Sequence, residues 1–409
     1  MASLFQRLSR PFRAWKPLSF TNANFPRLPA DTKIDEELYP DYLVSRYYPV
    51  QIGEVLRERY QIVGKLGFGA SSTVWLARDL SGRRHVVLKL YIHSASMGGQ
   101  LDNELKMYRR ISKCSANHPG RKAVRELLDS FEIHGPDGEH RCLVHPPLWE
   151  SALDFLNRNP VRRLPKPVLA VILQRLFLAL DFLHTECQII HTDIKADNIM
   201  LGIDDDSVFE HFEEQELHDP SPRKVLDDRT IYMSRTLRVP KKLAAPVLCD
   251  FGSAVLGDKE HTEDIQPDIY RAPEVILGVP WTYKVDIWNA GCMVWDLFEG
   301  GHLFTGYDEE HQAYRGRSHL AEIIALLGRP PQQLLERGNL THIFFTDQGG
   351  YQAGVPVFDQ LSLEEREITL DGQSREKFLR MMRKMLQWEP EARSSAKELY
   401  EEEWLRDKS

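Results

Sequence analysis

The chain has 409 residues, 42% hydrophobic and 27% charged, a composition that leaves room for two lobes or domains and excludes a fibrous or broadly disordered protein. A formal net charge of −8 argues against unassisted nucleic-acid binding and is compatible with a basic protein partner. The five cysteines, Cys114, Cys142, Cys187, Cys249 and Cys292, form no C-x-x-C pair, which points to a reducing compartment and away from a metal–thiolate site.

In chain order, the first thirty residues carry Arg7, Arg10, Arg13, Lys16 and Arg27, with no acid before Asp31. Mitochondrial transit peptides share that composition with plain basic tails, and we expect residues 1–59 to form an extension that is flexible at its start. From Tyr60 the runs 60–63, 73–77 and 86–91, separated by Gly/Ser-rich turns, predict three consecutive strands. Beyond Lys166 the residues Leu169, Ile172, Leu173, Leu176, Leu180 and Leu183 recur at three or four and predict a long helix with one apolar stripe. A small β lobe thus precedes a larger helical one, an α+β chain. The most apolar stretch, Val168 to Leu183, is interrupted by Gln174, Arg175 and Asp181, so no membrane span is expected. Between Gly202 and Pro246 the chain is polar, acid-rich and contains proline, and reads as an insertion looped out of the domain.

Several residues carry possible chemistry. In LGFGASSTVWLA, Gly67 and Gly69 lie between two predicted strands, where backbone N–H groups could approach a phosphate chain. A lone G-x-G is equally compatible with a ligand-free hairpin. Lys89 on the third strand and Glu104 in a helical stretch could pair, fixing the lysine where it neutralises two phosphates. In HTDIKADN, Asp193 can accept a hydroxyl proton, Lys195 can stabilise charge on a transferred phosphoryl group, and Asn198 offers an amide oxygen to Mg²⁺. Asp250, in Asp250-Phe251-Gly252, is the stronger metal ligand. Each could be an ordinary turn in isolation; their order along one chain gives them meaning.

With those motifs, the chain resembles the eukaryotic protein kinases from about Tyr60 to Leu405. Tyr270-Arg271-Ala272-Pro273-Glu274 and Asp286-Ile287-Trp288-Asn289-Ala290-Gly291 match two further motifs of that family. The resemblance implies a bilobal fold, with an N-lobe and hinge at 60–148 and a C-lobe at 149–405 that carries the 202–246 insert. It implies ATP and Mg²⁺, with Asp193, Lys195, Lys89 and Glu104 as catalytic residues and Asn198 and Asp250 as metal ligands. The nucleotide contacts implied are Leu66, Gly67, Phe68, Gly69, Ala70, Ser71, Ser72, Thr73, Val74, Leu88, Lys89, Pro146, Leu148 and Met200. Among these, Val74, Leu88 and Met200 would sandwich the adenine. The Pro146 carbonyl and the Leu148 N–H would face it across a hinge gated by His145. Glu274 would pair with Arg393.

A narrower resemblance, to SR-protein kinases and their fungal relatives, rests on several stretches. They are Arg46-Tyr47-Tyr48-Pro49-Val50, Ser71-Ser72-Thr73-Val74-Trp75-Leu76, His191-Thr192-Asp193-Ile194-Lys195 and Thr262-Glu263-Asp264-Ile265-Gln266. It implies a monomeric serine/threonine kinase of cytoplasm and nucleus, acting on Arg/Ser-rich proteins such as splicing factors. Thr192 stands where most kinases keep an arginine that reads a phosphate, so the segment from Ser253 to Arg271 is expected to order without phosphorylation. There are departures as well. Ser72 replaces the third loop glycine, Ala196-Asp197 replaces Pro-Glu, and Pro267 replaces a threonine near the catalytic aspartate. Arg315 and Arg317 fall where the narrower family is acidic. Pro267 keeps a pseudokinase or scaffold open as an alternative, whereas the lack of G-x-x-x-x-G-K-[ST] argues against a P-loop NTPase.

Overall fold

The structure, a computed structural model, describes residues 14–93, 100–227, 229–357 and 362–407. Arg7, Arg10 and Arg13, and with them the expected flexible start, lie outside the described residues. Two compact units emerge: Met1–Gly98, Glu126–Pro147 and Ile203–Lys242 form one, and Gly99–Arg125, Leu148–Gly202 and Leu243–Ser409 the other.

The first unit is built on an antiparallel sheet of order β1-β2-β3-β4-β6-β5. Its strands are β1 (Val55–Leu56), β2 (Tyr60–Gly69), β3 (Ser72–Asp79), β4 (Arg84–Tyr91), β5 (Asp129–Gly135) and β6 (Gly138–His145). Alternate residues of these strands, Tyr60, Ile62, Trp75, Ala77, Val86, Leu88, Leu90, Cys142 and Val144, gather in one apolar cluster, as a period of two requires. The sequence reading stopped the first strand at Val63, whereas β2 continues to Gly69. Bulges between Ile62 and Gly64 and between Lys65 and Gly67 let pairing with β3 carry the strand through its glycines.

The insert does not loop out. Ile203–Lys242 packs into the strand unit, and its helix, Ser207–His218, buries Val208, Phe209 and Phe212. The helical spacing of these three was masked by the acids around them. Gly64 of β2 has no room for a side chain, since a Cβ there would stand 2.7 Å from the Phe212 ring. Glu213 pairs with Arg78 at 3.1 Å and His85 at 2.7 Å. Further on, a hairpin of Arg223–Val225 and Thr230–Tyr232 brings the Tyr232 ring edge-on to Trp75, 5.6 Å between centroids.

The described part of the N-terminal extension is equally committed. Trp15 donates its N–H to the Leu80 carbonyl at 2.9 Å and stacks under the Arg78 guanidinium. Leu18 exchanges two hydrogen bonds of 2.8 Å with the Gln61 side chain. Lys65 on β2 is almost fully buried, and its ammonium is met by Asp35 at 3.0 Å, by Glu36, and by the Tyr232 carbonyl at 3.0 Å. A buried ammonium is tolerable only with such partners.

The second unit is mainly helical, with long helices at Gln100–Lys113, Lys166–Phe182, Lys284–Glu299, Gly316–Leu327 and Gly372–Met385. Contrary to the reading from composition, Lys166–Cys187 is long and apolar enough to match a membrane span. Leu169, Leu173, Phe177, Leu180 and Leu183 are nevertheless fully buried within the unit, and the Arg175 Nε donates to the Pro246 carbonyl at 3.1 Å, as suits a core helix. The expected Glu274–Arg393 pair forms, with no exposed surface on either side chain and two parallel bonds of 2.6 and 2.7 Å. Arg393 also donates to the carbonyls of Lys284 and Gln387, each at 3.0 Å, and of Trp388 at 3.5 Å, so all five N–H groups of its fork have a partner.

If the insert is part of the strand unit, Phe212→Ala removes a buried ring and should destabilise the protein by about 3–5 kcal/mol in urea unfolding. A looped-out insert would leave stability within about 0.5 kcal/mol of wild type.

Candidate active site

The strand unit contributes one face of its sheet. Gly67 lies opposite Val74, Val74 opposite Lys89, and Lys89 opposite Leu143, so these four form a row across β2, β3, β4 and β6. Lys89 is half-buried, its Nζ 4.9 Å from the centre of the Tyr91 ring. Strand alternation sends Leu88 to the opposite face, where it is fully buried in the cluster that holds Trp75, Val144 and Tyr232. Leu88 is therefore a core residue and not an adenine contact. Val87, two residues before the lysine, shares the face of Lys89, and the period of two held that signal in the sequence.

The β2–β3 hairpin turns at Ala70 and Ser71. Neither Gly67 nor Gly69 has a positive φ, and a Cβ at Gly67 would meet nothing within 4 Å. Neither backbone conformation nor packing demands glycine at 67, and the open space there would let a ligand approach the backbone closely. Leu66 is half-buried, and Phe68 and Ala70 are exposed. Ser72 and Thr73 are buried, the Thr73 hydroxyl accepting from the Trp75 indole at 2.8 Å, so only their backbones could serve a nucleotide. Half-buried Pro146 follows β6, whose last residue, His145, has its Nδ1 2.8 Å from the Glu126 carbonyl.

The helical unit holds the remaining candidates. Leu148 pairs with Gly202, and Ser151 with half-buried Met200, in a three-stranded sheet. Glu104 is buried on the Gln100–Lys113 helix. That helix is tied to the Asp250-Phe251-Gly252 turn through the Asn103 amide, which donates to the carbonyls of Gly252 at 3.1 Å and Ala254 at 2.7 Å. Phe251 is fully buried and meets the rings of Tyr108 and His191 edge-on at 5.2 and 5.3 Å. With Phe251 turned inward, Asp250 adopts a left-handed φ of 65° and is exposed.

Asp193, Lys195 and Asn198 are brought together. The Asp193 Oδ2 accepts from the Lys195 Nζ at 2.8 Å and from the Asn198 Nδ2 at 3.0 Å, while its carbonyl accepts from the same Nδ2 at 2.9 Å. Because the amide nitrogen makes both bonds, the Asn198 Oδ1 points the other way, as a hard-oxygen ligand for a divalent cation must. The Asn198 carbonyl accepts from the Cys249 N–H at 2.8 Å, which sets Asp250 one residue beyond that link. The Asp250 carboxylate and the Asn198 amide oxygen are the hard-oxygen donors that would suit Mg²⁺.

What holds this loop is Asp286, fully buried at the start of the Lys284–Glu299 helix. Its carboxylate accepts from the backbone N–H groups of His191 and Thr192 at 2.8 Å each, and its Oδ2 lies 2.9 Å from the His184 Nε2. Thr192 is forced to φ 67°, a left-handed conformation that costs a β-branched residue about 1–2 kcal/mol. Hydrogen bonds to a charged group contribute about 1.5–3 kcal/mol each, so the anchors outweigh the strain. Thr192 also donates its hydroxyl to the Ser253 carbonyl at 2.9 Å. The sequence reading saw Thr192 only as a missing arginine and Asp286 only as a helix motif. Partners some 95 residues apart leave no local signal.

The segment from Ser253 to Arg271 is tied down by backbone and side-chain contacts within the helical unit. Val255–Leu256 pairs with Ile189–Ile190, and the Tyr283 hydroxyl donates to the Gly257 carbonyl at 2.8 Å. His261 and Trp281 exchange backbone hydrogen bonds and stack at 4.8 Å. The Gln266 side chain bridges the Val285 carbonyl and the Ala272 N–H, and Arg271 pairs with Asp264 at 3.1 Å and Asp268 at 2.9 Å. Pro267 opens a short turn whose Tyr270 donates its hydroxyl to Asp296 at 2.6 Å. Arg317 is neutralised by Asp308 at 2.5 Å and by Glu310, and it holds the Asp308 carboxyl well below the usual carboxylate range. Of the two arginines in question, only Arg315 is exposed.

The protein kinase domain model matches residues 60–215 and 237–405. A serine/threonine protein kinase of Aspergillus fumigatus is 43% identical over 98% of this chain and 98% of its own length. The serine/threonine-protein kinase SRPK of Physarum polycephalum is 30% identical, covering 91% of this chain and 92% of that one. Human SRSF protein kinase 3 is 24% identical over 91% of this chain and 90% of its own. A solved kinase domain superposes with a TM-score of 0.67 at 21% identity, over 88% of this chain and 99% of that one, a likeness of fold. This chain belongs to the protein kinase family and is a serine/threonine kinase similar to the SRPK group.

Proposed function

We propose that the chain transfers the γ-phosphate of Mg·ATP to serine or threonine hydroxyls flanked by arginine, in Arg/Ser-rich proteins. The observation that carries the transfer is the Asp193 carboxylate, held by Lys195 and Asn198 at hydrogen-bond distance while its loop is pinned from behind. In that reading Asp193 orients the acceptor hydroxyl and takes its proton, and Lys195 meets charge developing on the transferred group. Asn198 and Asp250 hold Mg²⁺, which when bound neutralises phosphate charge. Gly67 lets the hairpin backbone approach the phosphates, Lys89 neutralises them, and Val74 and Val87 offer the base an apolar surface.

Arginine preference is supported by charge. Glu263 and Asp264 are well exposed on the segment preceding Pro267. Arg317, which would repel a basic substrate, is already neutralised by Asp308 and Glu310. The relatives named SRPK and SRSF protein kinase 3 are consistent with the same substrate class.

Transfer from ATP to an Arg-Ser repeat peptide and to a Ser-Pro peptide, at low and high salt, tests this reading. The Arg-Ser peptide should have the higher kcat/KM, by a margin that shrinks as salt screens the acids. Equal values at low salt would remove the substrate assignment. Asp193→Ala should lower kcat by about 10²–10⁴ on either peptide, and an unchanged kcat would remove the assignment of Asp193.

Full activity should also survive treatment with a phosphatase, because Thr192 stands in place of a phosphate-reading arginine and side-chain and backbone contacts tie down the 253–271 segment. An enzyme silenced by dephosphorylation and rescued by a second kinase would contradict this.

A further inference from the structure

The tip of the β2–β3 hairpin is not free in its own unit. Its two turn carbonyls both have partners: Ser71 accepts from the Ile92 N–H at 2.9 Å, and Ala70 accepts from the Tyr47 hydroxyl at 3.2 Å. Tyr47 belongs to the N-terminal extension, outside the residues that match the kinase domain. A second contact runs the same way, with the Tyr39 ring edge-on to exposed Phe68 at 6.0 Å.

The extension is itself held in place. Arg229 of the insert donates to the carbonyls of Val44 at 2.5 Å and Tyr47 at 3.1 Å, fixing the backbone from which the Tyr47 side chain projects. The His93 N–H reaches the Arg46 carbonyl at 2.7 Å. Lys65, on the strand that leads into the hairpin, is bound by Asp35 and Glu36 of the same extension and sits 5.6 Å from the Phe68 ring centre. The Tyr47 ring is buried, and burial with Glu36 nearby pushes its hydroxyl up to about 12, so it stays a donor throughout the working range of an enzyme. Both segments that carry this latch lie outside the strands they restrain.

We infer that Tyr47 is a positioning residue for the glycine hairpin: the extension, braced by the insert, sets the height of the hairpin and so its affinity for nucleotide. This rests on the reading that Gly67 and its neighbours receive the phosphates of ATP. Without the Tyr47 hydroxyl the hairpin samples conformations that cannot close on phosphate, and the apparent affinity falls by the competent fraction. Ala70 is exposed, so its released carbonyl finds water and the fold bears little cost.

Calorimetric titration of the full chain with Mg·ADP, for wild type, Tyr47→Phe, Tyr48→Phe and Lys89→Ala, tests the inference. Tyr48 lies in the same segment, but its hydroxyl reaches Glu54 at 3.4 Å and not the hairpin. Tyr47→Phe should weaken ADP by about two- to tenfold, the worth of one hydrogen bond, and speed amide exchange at residues 67–71 in the absence of nucleotide. Its melting temperature should match that of Tyr48→Phe, which should bind ADP like wild type. Wild-type affinity and exchange in Tyr47→Phe, beside weakened binding in Lys89→Ala, would overturn the latch while leaving the nucleotide site intact. An equal loss in Tyr47→Phe and Tyr48→Phe would also overturn it, since that marks a general loosening of the extension. Wild-type affinity in Lys89→Ala would overturn the nucleotide reading and the latch together.

Discussion

Much of the helical unit's chemistry depends on one buried carboxylate. Asp286 accepts from two consecutive backbone N–H groups, at His191 and Thr192, and pairs with His184. A carboxylate with no exposed surface is costly unless both oxygens are hydrogen-bonded, and these three donors reach both. Because the donors are consecutive, the chain at 191–192 must bend sharply, and the left-handed Thr192 is the result. That bend aims Asp193 at Lys195 and Asn198, and it puts the Thr192 hydroxyl on the Ser253 carbonyl. The 191–198 loop and the start of the 253–271 segment are thus fixed from one point.

The same economy runs through the strand unit, where segments outside the sheet supply what the sheet lacks. Lys65 and Lys224 are both nearly buried, and acids from the 35–37 stretch neutralise them. Phe212 of the insert covers Gly64, and Tyr232 completes the cluster that buries Trp75 and Leu88. Removing either the extension or the insert would leave buried charge without a partner and apolar surface in water. They are structural parts of the unit and not appendages to it.

Local patterning made much of this legible in the sequence. Three strands of the first sheet, the Lys166 helix and the Asp193–Lys195–Asn198 cluster could be read from periodicity or motif order, and the Glu274–Arg393 pair from the family resemblance. Other readings fell short for identifiable reasons. The insert was misread because three apolar residues at helical spacing sat among acids, where composition outweighs pattern. Leu88 was misplaced because its neighbourhood was read without the strand's period of two. Thr192 was read for what it lacks, since its real partners, Asp286 and Ser253, are some 94 and 61 residues away. Long-range hydrogen bonds of that kind have no spacing rule.

The most direct measurement is the single-turnover rate of phosphoryl transfer in Asp286→Ala, at saturating Mg·ATP and peptide, beside its affinity for Mg·ADP. If Asp286 aims the catalytic loop, transfer should slow by about 10²-fold or more while ADP affinity stays within about twofold of wild type, because misplacement of the reacting groups is what is lost. Transfer at the wild-type rate in a variant that binds ADP normally would contradict the dependence of the site on this carboxylate.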